Sequence, residues 1–291
     1  MQEFCGENCN PIDKMGDFGH AYGDGRDAGE ETENVLKIMI SPAKKMNVME
    51  EAPADAGVPR FLERTKDIKN YLQSLDYGTL KEIWKCNDKL AQLNFGRLRE
   101  MELDRRVTPA VFAYEGIQYQ SMAPMVFEQK HLDYIETHLY ILSGFYGILK
   151  AFDGVVPYRL EMQARLSWKR KDQVVTSLYD YWGSSLYEAL AEENPTIINL
   201  ASQEYARAVL PWKTPQVRFV ECVFGEWDGQ KGKVRVKATA AKMARGAMVR
   251  YMAEHQVDQA DDLKLFDLMG YKYREELSGE NTFVFVTGNG K

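Results

Sequence analysis

The sequence has few of the residues from which metal and redox sites are usually built. Its 291 residues include four cysteines and four histidines. Three residues separate Cys5 from Cys9 and only His20 lies near them, so the spacing does not match a zinc site. His131 and His138 lie two helical turns apart, roughly 10 Å, which is too far to share one ion. The sequence therefore predicts no metal site and no cofactor.

Membrane spans and several enzyme motifs are also missing. No apolar run approaches the roughly 18 residues of a membrane helix, and the N-terminus lacks the layout of a secretory signal. We therefore expect a cytoplasmic protein with reduced thiols. No G-x-x-x-x-G-K-S/T loop is present, which excludes a P-loop nucleotidase. Ser41 and Lys44 form an S-x-x-K, but its companion motifs S-D-N and K-T-G are absent, so the match is attributed to chance.

The negative charge is concentrated at one end of the chain. The net charge is −6, yet residues 1–34 contain nine acids and two bases, so residues 35–291 carry about +1. The first segment also holds six glycines and little that could pack. High charge with low hydrophobicity predicts that 1–34 is a disordered or loosely attached acidic tail. The domain is expected to span 35–291, with no repeat or linker inside it.

Hydrophobic patterning predicts a mixed α/β (α+β) fold in that domain. Apolar runs predict buried strands at Leu36–Ile40 and Thr196–Ser202, and an Asp-Gly turn at 228–229 predicts a hairpin. Further strands are expected at Val111–Tyr114 and Phe283–Val286. Helical spacing marks five further segments: Arg60–Ser74, Leu80–Met101 in two pieces with Leu90 and Leu93 inward, Pro124–Thr137, Ser177–Asn194 and Ala240–His255. Because helices and strands do not strictly alternate, a single domain with a mixed sheet covered by helices is favoured.

The segment Gly229–Ala253 is strongly basic. Its seven cations are accompanied by no acid: Lys231, Lys233, Arg235, Lys237, Lys242, Arg245 and Arg250. Lys242 and Arg245 are three apart and neighbours on a helix. Such a cluster is typical of a phosphate-binding surface. The alternative is a solvated hairpin whose charges keep a sheet edge from aggregating.

Two glycines punctuate the apolar segment Leu142–Ala151. Gly144 and Gly147 flank Phe145-Tyr146, a pattern close to the hairpin of helix-hairpin-helix DNA-binding motifs, whose backbone N–H groups meet a phosphate. The residues alone favour a glycine turn between a strand and a helix. Both readings remain open on this evidence.

Polar residues also follow the predicted strands. Arg159 and Glu161 share one face of "PYRLEM" if it is extended, which suits an ion pair or a polar pocket. In "ASQEY", Ser202 is expected to cap a helix, with Glu204 and Tyr205 in its first turn.

Together these segments make the chain resemble the YaaA family of peroxide-stress proteins. The matching pieces, in order from about residue 36 to the end, are "ISPAK", "LSGFYGILKAFD", "PYRLEM", "LYDYW", "INLASQEY", "KMARGAMVR" and "GYKY…FVF". Several motifs in register are far more specific than any short pattern.

The resemblance implies a cytoplasmic protein of the oxidative-stress response that limits damage from unincorporated iron. It also implies a YaaA-like fold with a helix-hairpin-helix element, and binding to double-stranded or distorted DNA through a cationic cleft. Carried onto this chain, the hairpin element falls on Leu142–Ala151, including Gly144, Gly147 and Lys150. The cleft cations fall on Lys44, Arg159, Lys242 and Arg245, with Arg250 in the same motif.

Two functional hypotheses follow. The leading one is a non-enzymatic, monomeric DNA-binding protein of the peroxide response, without a membrane partner. The alternative is an enzyme acting on a nucleobase or nucleotide, with Ser41, Glu161, Glu204 and Tyr205 as candidate catalytic groups at the strand ends. An enclosed pocket too small for a duplex would favour the alternative.

Overall fold

The computed structural model describes residues 35–170 and 173–288. The acidic tail predicted at 1–34, with Cys5, Cys9 and His20, lies outside these ranges. The strands are β1 (Leu36–Ile40), β2 (Lys45–Met46), β3 (Thr108–Pro109), β4 (Tyr114–Glu115), β5 (Leu139–Ser143), β6 (Gly147–Lys150), β7 (Gly154–Val155), β8 (Arg165–Arg170), β9 (Gln173–Ser177), β10 (Thr196–Leu200), β11 (Phe219–Asp228), β12 (Lys233–Arg235), β13 (Lys272–Tyr273) and β14 (Thr282–Thr287).

The α-helices are α1 (Leu62–Gln73), α2 (Tyr77–Trp84), α3 (Asp88–Arg99), α4 (Ala110–Ala113), α5 (Ile117–Met122), α6 (Gln129–His138), α7 (Leu178–Trp182), α8 (Ser185–Ala191), α9 (Gln203–Ala206) and α10 (Ala238–His255). Short 3-10 helices lie at Pro124–Val126, Leu210–Trp212, Ala260–Leu265, Leu268–Gly270 and Glu275–Leu277. No helix in the described ranges is both long enough and apolar enough to span a bilayer.

An eight-stranded mixed sheet forms the centre of the domain, as the sequence predicts. Its order is β13-β14-β11-β10-β1-β5-β6, with β12 paired to β11. The strands from β14 to β5 run parallel, while β6, β12 and β13 add antiparallel pairings. Because parallel strands end at the same edge, the residues after β1 and β10 come together there.

The strand β1 lies inside the sheet between β10 and β5 and is buried along its whole length. Central parallel strands are covered on both faces, which explains its continuous apolar run. Its one charged residue, Lys37, is buried. The Lys37 amine donates to the Glu192 carbonyl at 2.8 Å and lies over the Tyr140 ring, and these contacts offset the cost of burying it. Burial lowers the pKa of this amine, although Glu193 and Glu192 oppose the shift.

The helix α10 packs very closely against α5. A β-carbon at Gly246 would lie 2.0 Å from the Gln118 carbonyl oxygen, so only glycine fits this crossing. Ala244 and Ala247 beside it are buried and equally small. This contact fixes the basic helix predicted at Ala240–His255 over the ends of the central strands.

The segment Leu142–Ala151 contains no helix, so the placement of a helix-hairpin-helix there is wrong. It forms the turn of an antiparallel hairpin between β5 and β6. The N–H groups of Phe145 and Tyr146 donate to the Ser143 hydroxyl and cannot meet a phosphate. A β-carbon at Gly144 would lie 2.8 Å from the Leu160 carbonyl oxygen. Gly147 has a φ of +79°, and a β-carbon there would lie 2.8 Å from the Trp182 ring. The glycine turn is confirmed, but it joins two strands.

Three smaller predictions are also corrected. The strand expected at Val111–Tyr114 is largely helix α4. The helix expected at Ser177–Asn194 is divided into α7 and α8 at Gly183, whose φ is +53°. Leu90 and Leu93 on α3, expected inward, are 40% and 49% exposed.

Candidate functional site

A cavity of about 360 Å³ opens where β1 and β10 end. Its walls come from the β1–β2 connection, β4 and α5, the segment 158–161, α9 and α10. The lining residues are Ser41, Pro42, Ala43, Lys44, Lys45, Glu115, Gly116, Ile117, Gln118, Tyr119, Tyr158, Arg159, Leu160, Glu161, Ser202, Glu204, Tyr205, Lys242 and Arg245. All four predicted cleft cations and all four predicted catalytic candidates therefore border one cavity.

Ser41 joins the ends of β1 and β10. Its hydroxyl accepts from the Ser202 N–H at 2.8 Å and lies 3.2 Å from the Ser202 hydroxyl, while Tyr119 donates to its carbonyl at 3.0 Å. None of these bonds connects the Ser41 hydroxyl to a base, so the arrangement is structural. Ser202 occupies the N-cap position of α9 as predicted, but its side chain caps no helical N–H.

Glu161 is held by two cations. Its carboxylate lies 2.7 Å from the Lys44 amine and 3.6 Å from the Arg159 guanidinium, which confirms the predicted pairing of Arg159 with Glu161. Arg159 also donates to the Trp84 carbonyl. Because two cations contact its Oε1, Glu161 is held in place as part of the wall.

Glu204 lies beside Glu161 in a different environment. It takes part in no ion pair among the described residues, and the Gln163 N–H donates to it at 3.3 Å. Burial raises the pKa of Glu204, and the neighbouring charge of Glu161 raises it further. A carboxyl group with a raised pKa inside a cavity is a common feature of acid–base sites.

Buried tyrosines form the floor of the cavity. The Tyr158 hydroxyl lies 2.8 Å from that of Tyr114 and 2.6 Å from that of Ser143. Burial raises the pKa of Tyr158 to about 12, although both hydrogen bonds oppose the shift. Burial also raises the pKa of Tyr205 well above its ordinary value. Tyr158 and Tyr205 are therefore neutral and serve as apolar surface and hydrogen-bonding groups.

The corner where α5 meets α10 carries donors without protein acceptors; we call Gln118, Lys242 and Arg245 the donor corner. Gln118 is 7% exposed, and its side-chain nitrogen has no hydrogen-bond partner. The Arg245 Nε is likewise buried without a partner, and Arg245 joins no ion pair in the described part of the chain. Burial lowers the pKa of Arg245, and the smaller opposing effects of Cys222 and Glu221 do not cancel this shift. Buried donors are normally satisfied, so this corner is where the cavity keeps hydrogen-bonding capacity that the described residues do not use.

Other predicted phosphate-binding residues lie away from this cavity. Arg250 pairs with Glu254 at 2.7 Å. Gly144 and Gly147 belong to the β5–β6 hairpin. Lys150 lines a separate cavity of about 700 Å³ beside the start of β1.

The cations around β12 are partly neutralised within the fold. Arg235 and Lys237 both pair with Glu226 of β11, at 3.2 Å and 2.6 Å. This pairing agrees with the alternative in which the hairpin cations protect a sheet edge.

Sequence reasoning missed the wall formed by β4 and α5. A β-carbon at Gly116 would lie 2.9 Å from the Ala43 β-carbon, so this glycine allows the wall to approach the β1–β2 connection. Gln118 and Tyr119 follow directly in "YEGIQYQ". The closely spaced glycine, glutamine and tyrosines were the available signal, but neither charge nor motif marked them.

Within the described ranges, no group of three or more His, Cys, Asp or Glu side chains could hold a metal ion. Cys86 and Cys222 are free thiols. Burial raises the pKa of Cys222 to about 12, so this thiol is not a reactive thiolate.

Comparison with known proteins gives consistent matches over the domain. The sequence model of the family described as peroxide stress protein YaaA matches residues 36–277. A UPF0246 protein of Lachnoclostridium phytofermentans is 51% identical over 253 residues, which cover 87% of this chain and 97% of the relative. A UPF0246 protein of Desulfitobacterium hafniense is 50% identical over 251 residues, 86% of this chain and 98% of the relative. A UPF0246 protein of Lactiplantibacillus plantarum is 48% identical over 251 residues, which cover 86% of this chain and 99% of the relative.

Proposed function

We propose, because this chain belongs to the peroxide stress protein YaaA family, that it acts in the response to hydrogen peroxide by binding distorted DNA. In this proposal the cavity receives one unstacked nucleotide. The donor corner holds its phosphate, and occupancy of the damaged site limits iron-dependent damage to the DNA. A cytoplasmic location accompanies this role.

The observation that carries the proposal is the donor corner. The Gln118 side-chain nitrogen and the Arg245 Nε are buried without partners, and the exposed Lys242 adds a second charge that joins no ion pair within the described ranges. A phosphate supplies several acceptor oxygens and negative charge. These are the partners that the unpaired nitrogens of Gln118 and Arg245 and the charge of Lys242 do not find among the described residues. A hydrogen bond to a charged group contributes about 1.5–3 kcal/mol, so this corner alone supports specific anion binding.

The size of the cavity favours a nucleotide over a regular duplex. The cavity volume of about 360 Å³ lies near the lower end of the range for small-molecule pockets. A single turn of a DNA duplex is already about 34 Å long and cannot enter a cavity of this size. Proteins that act on bases reach them by extruding the nucleotide, which costs least where the duplex is already distorted. We therefore propose distorted rather than regular DNA as the partner.

Fluorescence anisotropy tests this proposal with a labelled intact duplex and the same duplex carrying a one-nucleotide bulge. We expect the bulged duplex to bind more tightly, with affinity falling steeply between about 50 and 200 mM salt. The double variant Lys242→Ala with Arg245→Met should weaken binding and reduce the salt slope by about 2. Arg250→Ala is the matched control, because it removes a cation from the same helix but outside the cavity.

Equal binding of both duplexes, or affinity indifferent to salt, would contradict the proposal. The protective role needs its own assay, nicking of plasmid DNA by ferrous iron and peroxide. Wild-type protein should slow the nicking of plasmid that contains bulged sites, and the double variant should not.

A second candidate function is an enzyme acting on a nucleobase or nucleotide. The cavity of about 360 Å³ is too small for a duplex, which favours this alternative, and so does the contrast between Glu161, held by Lys44 and Arg159, and Glu204, whose pKa burial raises. The test is incubation with nucleoside monophosphates and bulged DNA, followed by mass spectrometry of the products. Turnover that disappears in Glu204→Gln would support catalysis, and unchanged substrates would leave DNA binding as the function.

A further inference from the structure

We propose that Glu204 selects the base, so that the cavity takes a guanine nucleotide in preference to a uracil or thymine nucleotide. This inference rests on the proposed function, because it assumes that a nucleotide phosphate occupies the donor corner. It adds which base the rest of the cavity accepts.

The cavity is lined by two chemically different groups of side chains. The donor corner, on α5 and α10, contains the Arg245 Nε and the Gln118 side-chain nitrogen, which lack acceptors among the described residues. Glu161 and Glu204 also line the cavity, and neither forms an ion pair with Lys242 or Arg245. A ligand that contacts both groups must therefore carry acceptors for the first and hydrogen-bond donors for the second, as a nucleotide with an amino-bearing base does.

Glu204 differs from Glu161 in having no cationic partner. Lys44 and Arg159 both contact the Oε1 atom of Glu161. Glu204 receives backbone N–H groups, that of Gln163 at 3.3 Å, and no cation of the described residues lies within ion-pair distance of it. A carboxylate offers about four lone-pair sites, so Glu204 can accept further bonds from a ligand.

The Watson–Crick edges of the bases differ in how they match a carboxylate. Guanine presents two adjacent donors, its ring N1–H and its exocyclic amino group, which fit both oxygens. Adenine and cytosine present one amino donor next to a ring acceptor. Uracil and thymine present a single N–H between two carbonyls. Their carbonyl oxygens would face the carboxylate oxygens, acceptor against acceptor, and repel them. Reading an extruded base through this edge is a common mode of recognition, and carboxylates accept from base amino groups.

Protonation of Glu204 should change this order. A carboxylic acid has one donor and one acceptor, which every base can match with one adjacent donor–acceptor pair, so guanine loses the advantage of its two adjacent donors. The charged and titratable groups around Glu204 are Glu161 and Lys44 across the cavity, Tyr205 on α9, and Tyr179 and Arg207 beside it. Glu161 and burial both favour the protonated form, so the change falls above the ordinary pKa of glutamate.

Isothermal titration calorimetry with the 5′-monophosphates of guanosine, adenosine, cytidine and uridine tests the inference. At pH 8 we expect the guanosine nucleotide to bind at least about tenfold more tightly than the uridine nucleotide. Glu204→Gln should remove this preference while phosphate-dependent binding persists. Glu115→Gln is the control, since it also removes a lining carboxylate, but one paired with Lys45.

The wild-type protein gives an independent measurement that needs no variant. Between pH 8 and pH 5 its preference for guanine over adenine should fall. Equal affinity for all four nucleotides, or a preference that survives in Glu204→Gln, would overturn the base-reading role while leaving the proposed function intact. Failure of every nucleotide to bind would overturn the proposed function and this inference together.

Discussion

Replacing Arg245 with methionine should strengthen the fold and weaken ligand binding at the same time. The guanidinium is mostly buried on α10, its Nε has no hydrogen-bond partner, and it joins no ion pair in the described residues. Methionine keeps a similar apolar stem and removes the unsatisfied charge. An arginine that served only the fold would give the opposite result.

The expected magnitudes follow from the missing partners. A buried polar group left unsatisfied costs about 1–3 kcal/mol, so the free energy of unfolding should rise by about that amount. Each kcal/mol corresponds to about 2–4 °C in Tm for a domain of this size. Losing one charge-assisted hydrogen bond should reduce nucleotide affinity by about 10- to 150-fold.

Chemical denaturation followed by circular dichroism measures the first effect, and calorimetry with guanosine monophosphate measures the second. Arg159→Met is the contrasting variant, because Arg159 pairs with Glu161 and donates to the Trp84 carbonyl. It should lower the free energy of unfolding. The reasoning is refuted if Arg245→Met lowers the free energy of unfolding by more than about 1 kcal/mol, the size of one ordinary hydrogen bond, or leaves nucleotide affinity unchanged.

Three further substitutions test the fold around the site. Burial raises the pKa of Asp153 from 3.8 to about 6, so the native state binds more protons than the unfolded state and loses stability as pH rises through this window. In urea unfolding, the free energy of unfolding of Asp153→Asn should therefore rise relative to the wild type by up to about 3 kcal/mol between pH 4 and pH 7. A difference that stays constant with pH would contradict this. Gly246→Ala should lower Tm by several degrees because of the 2.0 Å approach to the Gln118 carbonyl, and an unchanged Tm would disprove the close contact. Ser41→Ala should cost about 1–2 kcal/mol of unfolding free energy through its bonds to Ser202 without changing nucleotide affinity, whereas loss of turnover in a stable variant would restore Ser41 as a nucleophile.

The strands that position the site were predictable because their signals are local. A continuous apolar run ending at a proline identified β1 to the residue, and a similar run identified β10. Parallel strand ends share one edge, so the polar residues after each strand could be expected to meet. Lys44, Arg159 and Lys242 all border the cavity at that edge, and their role in binding stays a prediction.

The Leu142–Ala151 segment could not be assigned because its glycines fit several turns. What decides its structure is distant in the chain: β5 pairs with β1, and Gly144 is pressed against the Leu160 carbonyl. On α3, helical spacing identified an apolar stripe, but the helix buries the neighbouring face with Ala91 and Leu98. In both cases the tertiary partner selects between locally equivalent options.

Counting charges in the basic segment could not show which of its cations are ion-paired, for a related reason. The acids that pair with it lie just outside it in sequence. Glu254 follows its last residue and pairs with Arg250, and Glu226 on the partner strand pairs with Arg235. Two cations of the segment, Lys242 and Arg245, border the cavity and join no ion pair in the described residues.

The donor corner combines close helix packing with unsatisfied donors. The contact of Gly246 with the Gln118 carbonyl fixes α5 against α10 at a distance that admits no side chain. This packing holds Gln118 and Arg245 at the cavity, with the Gln118 side-chain nitrogen and the Arg245 Nε unpaired among the described residues. Burying two unsatisfied donors costs stability, and sites prepared for a ligand commonly bear such a cost. Because Glu161 and Glu204 border the same cavity and form no ion pair with Lys242 or Arg245, the proposed function assigns the missing acceptors to a bound phosphate.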